Sequence, residues 1–400
     1  MSDLAAPVAA RATIVVERPK RALAGHPWVY SNEVRMDAHA KALAPGSIVT
    51  LAGPDGRALG TATFTPHTLV AARILDRDPA AAIDRDFFAA RIARALALRR
   101  RFYDEPYYRL IHAEADGLPG LVVDRYGDVA VAQLNSAGMA ALESEILAAL
   151  DATLSPRAVV LRPDATARAL EGAGGEPRVA VGAIDGPVEL HENGAVFLAD
   201  VLGGQKTGWF FDQRENRRFV AALAQDARVL DVYCYGGAFA ILAARADAAE
   251  AIGIDRSEGA LALAAQSAAR NGVAGRCRFV RAEAFAELQR LADAGERFGI
   301  VFADPPAFVK SKKDLGPGLR GYRKLARLAA ALVARDGILF LASCSHNVGA
   351  DDFAEAARRG LEDAGRAGRI VRAAGAAPDH PIDPALPESA YLKSLTIALD

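Results

Sequence analysis

Cys344 stands between Ser343 and Ser345, just after the apolar run Gly337-Ile-Leu-Phe-Leu-Ala342 and about 40 residues beyond Asp304-Pro305-Pro306-Ala307-Phe308. The spacing predicts a nucleophile at one strand end beside a base-holding loop at another. Cytosine C5 is a poor nucleophile. A thiolate adding at C6 makes C5 carbanion-like and able to take a methyl group, after which a base removes the C5 proton and the thiol leaves. A free cysteine is more often a small buried hydrophobe, so the rest of the chain must supply the ligand sites this chemistry needs.

The proline segment has a use of its own. Pro305 and Pro306 stiffen the backbone and remove two donors, leaving carbonyl oxygens and the Asp304 carboxylate to receive the exocyclic amine of a flipped base, while Phe308 can stack on its ring. The basic run Lys310-Ser-Lys312-Lys313 follows on the same edge and offers phosphate contacts through Lys310 and Lys312, although a solvated loop would read the same way.

Upstream, Val229-Leu-Asp231-Val-Tyr233-Cys-Tyr-Gly236-Gly237-Ala-Phe-Ala places a strand, a glycine-bearing turn and a helix start in succession. Such a turn brings a ligand close to main chain and to a helix N-terminus at the carboxyl edge of a sheet. It is not the Gly-x-Gly-x-x-Gly of dinucleotide sites. Asp255 ends the next strand, where a carboxylate can accept both ribose hydroxyls. Glu283-Ala284-Phe285 follows the third and can border an adenine ring. Singly, Gly236-Gly237 reads as a packing turn, Asp255 as a helix cap and Phe285 as a core aromatic. Their order, closed by Asp304-Pro-Pro at strand four, resembles the layout of class I S-adenosylmethionine methyltransferases.

The elements that would position these groups alternate. Val229 to Asp231, Ala251 to Asp255, Cys277 to Val280, Ile300 to Asp304 and Ile338 to Ala342 are short apolar runs separated by helix-length stretches, which predicts a parallel sheet with crossover helices. The first part of the chain differs. Strands are expected at Ala12 to Val16, Ser47 to Leu51, Ala58 to Phe64 and Leu69 to Leu75, with a turn at Pro54-Asp55-Gly56. A connector helix is expected over Asp84 to Tyr103, and a hairpin unit over Arg109 to Leu134. A helix over Met139 to Asp151 and strands at Ala158 to Leu161 and Arg178 to Ala183 follow, the last two separated by the Gly-rich Gly172 to Gly175.

With 400 residues the chain suggests two or three domains. Hydrophobic residues make up 52% and charged residues 24%, and no apolar stretch nears the roughly 18 to 20 residues of a membrane span. The first residues, Met1 to Pro7, show no secretory pattern. Three cysteines, Cys234, Cys277 and Cys344, do not make a disulfide framework, and a reducing cytoplasm is the expected compartment. The net charge of -1 excludes a global nucleic-acid signature, so affinity for RNA would come from local patches. Residues 1 to 110 carry 16 Lys and Arg against 11 Asp and Glu, with Arg99-Arg100-Arg101 the densest point: either an RNA-facing surface or a solvated helix face.

Nearly the whole chain resembles the RlmI-type 23S rRNA (cytosine-C5) methyltransferase family. The resemblance is carried by Gly25-His-Pro-Trp28, Glu114-Ala-Asp-Gly-Leu-Pro-Gly-Leu-Val-Val-Asp124 and Gln205-Lys-Thr-Gly-Trp-Phe-Phe-Asp-Gln-Arg-Glu-Asn-Arg217. Asp304-Pro-Pro, Ser343-Cys-Ser345, Asp379-His-Pro381 and Tyr391-Leu-Lys393 complete it. It implies an α/β and α+β multidomain protein: a PUA-like β module over residues 1–80, a helical connector and mixed α+β middle domain over 81–187, and a Rossmann-like class I methyltransferase domain over 188–400. It further implies S-adenosylmethionine as cofactor and 23S rRNA or a large-subunit precursor as partner, with no membrane and with a homodimer left open. Cys344 would be the nucleophile and Asp304 would hold the cytosine N3/N4 edge. Asp231, Tyr233, Gly236, Gly237, Asp255, Glu283 to Phe285 and Asp304 would line the cofactor. Arg214 and Asn216 would brace the pocket, and Trp28 and Arg99 would face RNA.

One departure matters. Cytosine-C5 RNA methyltransferases with two cysteines carry the second just after the proline loop, where this chain has Ala307-Phe308. The elimination base must then be another group. His346 is a candidate, though a structural histidine is the better reading. Two alternatives stay open: methylation of an exocyclic amine or ring nitrogen without the thiol, and an inactive RNA-binding assembly factor.

Overall fold

The computed structural model describes residues 11–164 and 175–400. The Met1 to Pro7 reading and all of the Gly-rich stretch except Gly175 lie outside the described residues. The chain forms two compact units, residues 1–183 with 381–387 and residues 184–380 with 388–400.

The first unit holds two five-stranded sheets. In one, β1 (Thr13–Val15), β2 (Trp28–Tyr30), β3 (Ser47–Ala52), β4 (Ala58–Phe64) and β5 (Val70–Asp76) lie in the order β1-β3-β4-β5-β2. The Pro54-Asp55-Gly56 turn joins β3 to β4, with Gly56 at φ 78° and Gly53 N–H on the Arg57 carbonyl at 2.8 Å. Ile14, Val49, Leu51, Ala62 and Phe64 make its core.

The connector helix Arg85–Arg99 starts on Asp84, whose carboxylate accepts the Phe87 N–H at 3.0 Å. It buries Phe88, Ile92, Ala95 and Leu96 against the second sheet. That sheet comprises β6 (Tyr107–His112), β7 (Leu121–Tyr126), β8 (Val129–Leu134), β9 (Ala158–Leu161) and β10 (Arg178–Val181), in the order β10-β9-β8-β7-β6. Between β8 and β9 lie two helices, Ala137–Ala141 and Glu143–Leu154, where the sequence suggests one.

The Arg99-Arg100-Arg101 run resolves against the RNA-facing expectation for Arg99. The helix phase turns Arg99 inward, where it is fully buried and its guanidinium forks onto Asp116 at 2.6 and 2.7 Å. Only Arg100 and Arg101 face solvent.

The second unit opens with a hairpin that the sequence reading missed, β11 (Val188–Glu192) and β12 (Ala195–Ala199). Its signal was Asn193-Gly194, the pair favoured where both turn residues have positive φ, here 53° and 75°. A seven-stranded sheet follows. It contains β13 (Arg228–Val232), β14 (Glu250–Asp255), β15 (Cys277–Arg281), β16 (Phe298–Ala303), β17 (Val333–Ser343), β18 (Gly368–Ala374) and β19 (Lys393–Leu399), in the order β15-β14-β13-β16-β17-β19-β18.

The five strands foreseen are parallel, and β19 runs antiparallel between β17 and β18, so the sheet is mixed. Leu230, Ile252, Val301 and Leu339 share a core with Leu288, Leu325 and Phe353 of the helices Ala284–Asp293, Leu315–Leu332 and Ala350–Asp363. Adjacent strand residues point the other way. Phe302 and Phe340 pack on Phe239 of the helix Ala238–Arg245 at ring distances of 4.6 and 5.2 Å. Strand order reverses at β13, and a crevice at the carboxyl ends of its neighbours is where such sheets take ligands.

Candidate active site

That crevice is a cleft of about 1060 Å³, walled by the ends of β13, β14, β15, β16 and β17 and by residues 205–217. Tyr233, Gly236, Asp255, Glu283 and Phe285 line one part of it, and Asp304, Pro305, Pro306, Phe308 and Cys344 another. The structure therefore gathers ten of the singled-out residues around one space.

The turn after β13 is conformationally tight. Tyr233 and Tyr235 have φ of 65° and 46°, a left-handed conformation that is unusual for bulky residues and concentrates at functional sites. Gly236 lets main chain face the cleft, since a Cβ there would lie 2.9 Å from the Trp209 ring. Gly237, at φ 73°, does not line the cleft. It is needed for packing, because a Cβ would come within 2.7 Å of Phe279.

Asp255 ends β14 with each carboxylate oxygen accepting one main-chain N–H, Tyr235 on one and Ser257 on the other, both at 2.9 Å. Each oxygen retains a lone pair for a hydroxyl. Glu283 caps the helix Ala284–Asp293 by accepting the Ala286 N–H at 2.8 Å, and Ala284 is buried behind it. These features fit a nucleoside: a paired hydroxyl acceptor, a close main-chain turn, and Phe285 at the rim.

Asp231 supports the site from beneath. Its buried carboxylate takes the Ala240 N–H at 3.1 Å, and burial raises its pKa to about 7 despite that bond and Arg217. Arg214 also stands back from the cleft, 3.7 Å from Glu192. The arginine on the wall is Arg217, which donates to Glu192 at 2.7 Å and to the Phe210 carbonyl at 2.9 Å.

Asp304 is held by an amide relay. Gln213 donates to Asp304 at 2.9 Å, Asn216 donates to Gln213 at 2.7 Å, and Arg372 donates to Asn216 at 2.9 Å. Burial, with Asp212 nearby, lifts the Asp304 pKa to about 6 against Arg217, the Gln213 bond and Lys206.

The two serines around Cys344 fasten its loop to the proline loop. Ser343 donates to the Tyr322 hydroxyl at 2.8 Å, Tyr322 and Ser345 hydroxyls share a bond at 2.7 Å, and Ser345 accepts the Val309 N–H at 3.3 Å. Phe308 packs on Tyr322 with ring centres 4.7 Å apart. Lys393, paired across the sheet with Ser343, donates to the carbonyls of Ser345 at 2.6 Å and Tyr391 at 2.7 Å. Cys344 itself is half-buried and unpaired, and burial pushes its thiol up.

Other singled-out residues fall elsewhere. His346 stacks on Tyr391 at 5.3 Å and turns Nδ1 toward the Glu388 carbonyl, outside the cleft lining. Lys310 borders a shallower hollow of about 400 Å³ beside Phe285 and Phe308, and Lys312 is exposed in a short 3-10 turn. Trp28, in the first unit, donates from Nε1 to Glu114 at 2.8 Å and makes an edge-on contact with Tyr30 at 6.4 Å.

Sequence reading gave no role to Lys206, Asp212, Gln213 or Arg217, all on the cleft wall. The i, i+4 spacing of Gln213 and Arg217 was the available signal that they share a face.

Comparison with known proteins agrees with this geometry. A family model described as S-adenosylmethionine-dependent methyltransferase matches residues 141–394, and one for a PUA-like domain matches residues 17–77. The ribosomal RNA large subunit methyltransferase I of Shewanella denitrificans is 36% identical over 375 residues, covering 92% of this chain and 94% of that protein. The protein of the same name from Cronobacter sakazakii is 34% identical over 393 residues, covering 96% and 98%. Among solved structures, SMU.776, a candidate methyltransferase solved with SAH, shares the fold at 18% identity with a TM-score of 0.83 over 97% of this chain and all of that one. With that identity and coverage, the chain belongs to the ribosomal RNA large subunit methyltransferase I family of S-adenosylmethionine-dependent methyltransferases.

Proposed function

We propose that this protein methylates C5 of a cytidine in large-subunit (23S) ribosomal RNA through a covalent bond from Cys344 to C6. The observation that carries the reading is that Cys344 opens into the same cleft as Asp304 and the Asp255–Gly236 nucleoside cradle. S-adenosylmethionine supplies an electrophilic methyl group.

The chain's own residues do the rest. Asp304 accepts the N4 amine of the flipped base, Pro305 and Pro306 border it without competing donors, and Phe308 stacks on it. The Cys344 thiolate adds to C6, and the C5=C6 electrons move to C5, which is then methylated. Loss of the C5 proton to a base returns those electrons to the double bond and expels the thiolate. A flipped or single-stranded cytidine is required because a duplex hides C6.

We assign RNA engagement to the module over residues 1–80, with Trp28 as a contact, and to Lys310 and Lys312 beside the cleft. The middle domain over 81–187 and the catalytic domain over 188–400 complete this division. The half-buried thiol, whose ionisation burial disfavours, supports a second reading, attack by an exocyclic amine without covalent catalysis.

Nucleoside analysis of 23S rRNA from a deletion strain separates the two readings. Loss of one 5-methylcytidine, restored by the wild-type gene and not by Cys344→Ala, is the expected result. Restoration by Cys344→Ala, or loss of a methylated purine in its place, would overturn the proposal.

A further inference from the structure

The covalent reading requires a thiolate, and most of the surroundings of Cys344 oppose one. Asp304 approaches from the loop after β16, Asp212 from the turn Phe211–Gln213, and Tyr322 from the helix Leu315–Leu332. The cationic candidates nearby are Lys393 from β19, His346 from the loop of Cys344 itself, and Lys206 from the 205–208 turn.

Two of these are engaged elsewhere. Lys393 spends two N–H groups on the Ser345 and Tyr391 carbonyls. His346 faces the Glu388 carbonyl and the Tyr391 ring, and burial favours its neutral form. Lys206 differs. It lines the cleft with Cys344, Asp304 and Asp212, its ammonium lies 4.7 Å over the Phe210 ring, and among the described residues no carboxylate pairs with it.

The turn that carries Lys206 is specifically built. Lys206 has φ 47° and Gly208 φ 109°, and Gly208 N–H returns to the Gln205 carbonyl at 2.8 Å. The Tyr235 hydroxyl straps both ends, accepting Gln205 N–H and donating to the Gly208 carbonyl, each at 3.2 Å. A left-handed lysine is strain that the surrounding structure must maintain, and Gly208 beside it turns the chain at no such cost.

We infer that Lys206 is a positioning residue whose ammonium, carried to the cleft wall by the Tyr235-strapped turn, offsets the burial that opposes ionisation of Cys344 and so raises its thiolate fraction. This rests on the covalent reading above. An opposite charge facing the same cleft favours the ionised thiol, by on the order of 1 pH unit at close range. Because Lys206 is exposed, the effect should weaken in high salt.

The test uses the full-length protein without RNA. Alkylation of Cys344 by iodoacetamide is followed by peptide mass spectrometry from pH 6 to 10 in the wild type, Lys206→Met and Lys206→Arg, with cysteine-peptide mapping to separate Cys234 and Cys277. The expected result is a midpoint raised by about 1 pH unit in Lys206→Met, equivalent to roughly tenfold slower labelling at pH 7.5. Lys206→Arg should track the wild type, and the difference should shrink in 1 M salt. Coincident midpoints in all three proteins, or an equal shift in both variants, would overturn the inference. If the wild type methylates RNA without ever forming an adduct, the covalent reading fails independently of this titration.

Discussion

Protonation decides what Cys344 and Asp304 can do. Asp304, with its pKa raised to about 6 chiefly by burial, is mostly a carboxylate at neutral pH and loses that form in mild acid. Single-turnover methylation should therefore rise with pH through a limb near 6, and Asp304→Asn should lose both that limb and most of the rate, by about 100-fold or more. A limb unmoved in Asp304→Asn would assign it to another group. At this scale the sequence was informative where a residue's neighbours set its environment: Asp304 is stiffened by Pro305 and Pro306, Cys344 is flanked by two serines, and Asp255 ends a strand. It was silent on Lys206, Asp212 and Arg217, whose roles depend on how a loop folds back over the sheet. It also misplaced Arg99, because three consecutive arginines read as surface charge while the helix phase buries one of them.

Elements translate these residues into geometry. The helix Leu315–Leu332 contributes Tyr322, whose hydroxyl joins Ser343 and Ser345 and so ties the Cys344 loop to the proline loop. Tyr322→Phe keeps the ring packing on Phe308 and removes this hub. It should cost about 1 to 3 kcal/mol in urea unfolding and lower the rate of Cys344 alkylation or adduct formation further than cofactor affinity. Equal stability and unchanged thiol chemistry would show that the serines position the loop without it. The five parallel strands could be foreseen as short, largely apolar runs, four of them buried on both faces and the edge strand β15 only partly covered. The antiparallel β19 and its edge neighbour β18 could not be foreseen so readily. Residues 368–374 alternate arginines with small and apolar residues, and their strand character comes from pairing with β19.

Over the whole molecule, stability carries the cost of the buried carboxyls. Asp231 is raised from 3.8 to about 7 and Asp304 from 3.8 to about 6, in both cases mainly by burial. Between pH ~4 and ~7 the folded chain holds protons that the unfolded chain has released, so these groups contribute less stability as pH rises through that window. Asp231→Asn should accordingly gain stability relative to the wild type from pH 5 to 8 in urea titrations, and a constant difference would contradict the assignment. In the first unit, Arg99→Ala would leave Asp116 buried without its fork and should destabilise the protein by about 3 to 5 kcal/mol. The division of labour proposed for the units has one chemical centre, the bond from Cys344 to a cytidine. The most direct test mixes full-length protein and S-adenosylmethionine with 23S rRNA fragments carrying 5-fluorocytidine, whose C5 fluorine cannot leave as a proton. The account expects a denaturation-resistant protein–RNA adduct mapping to Cys344 and absent in Cys344→Ala. An enzyme that methylates unmodified RNA yet yields no adduct, or a Cys344→Ala variant that still methylates, would contradict it.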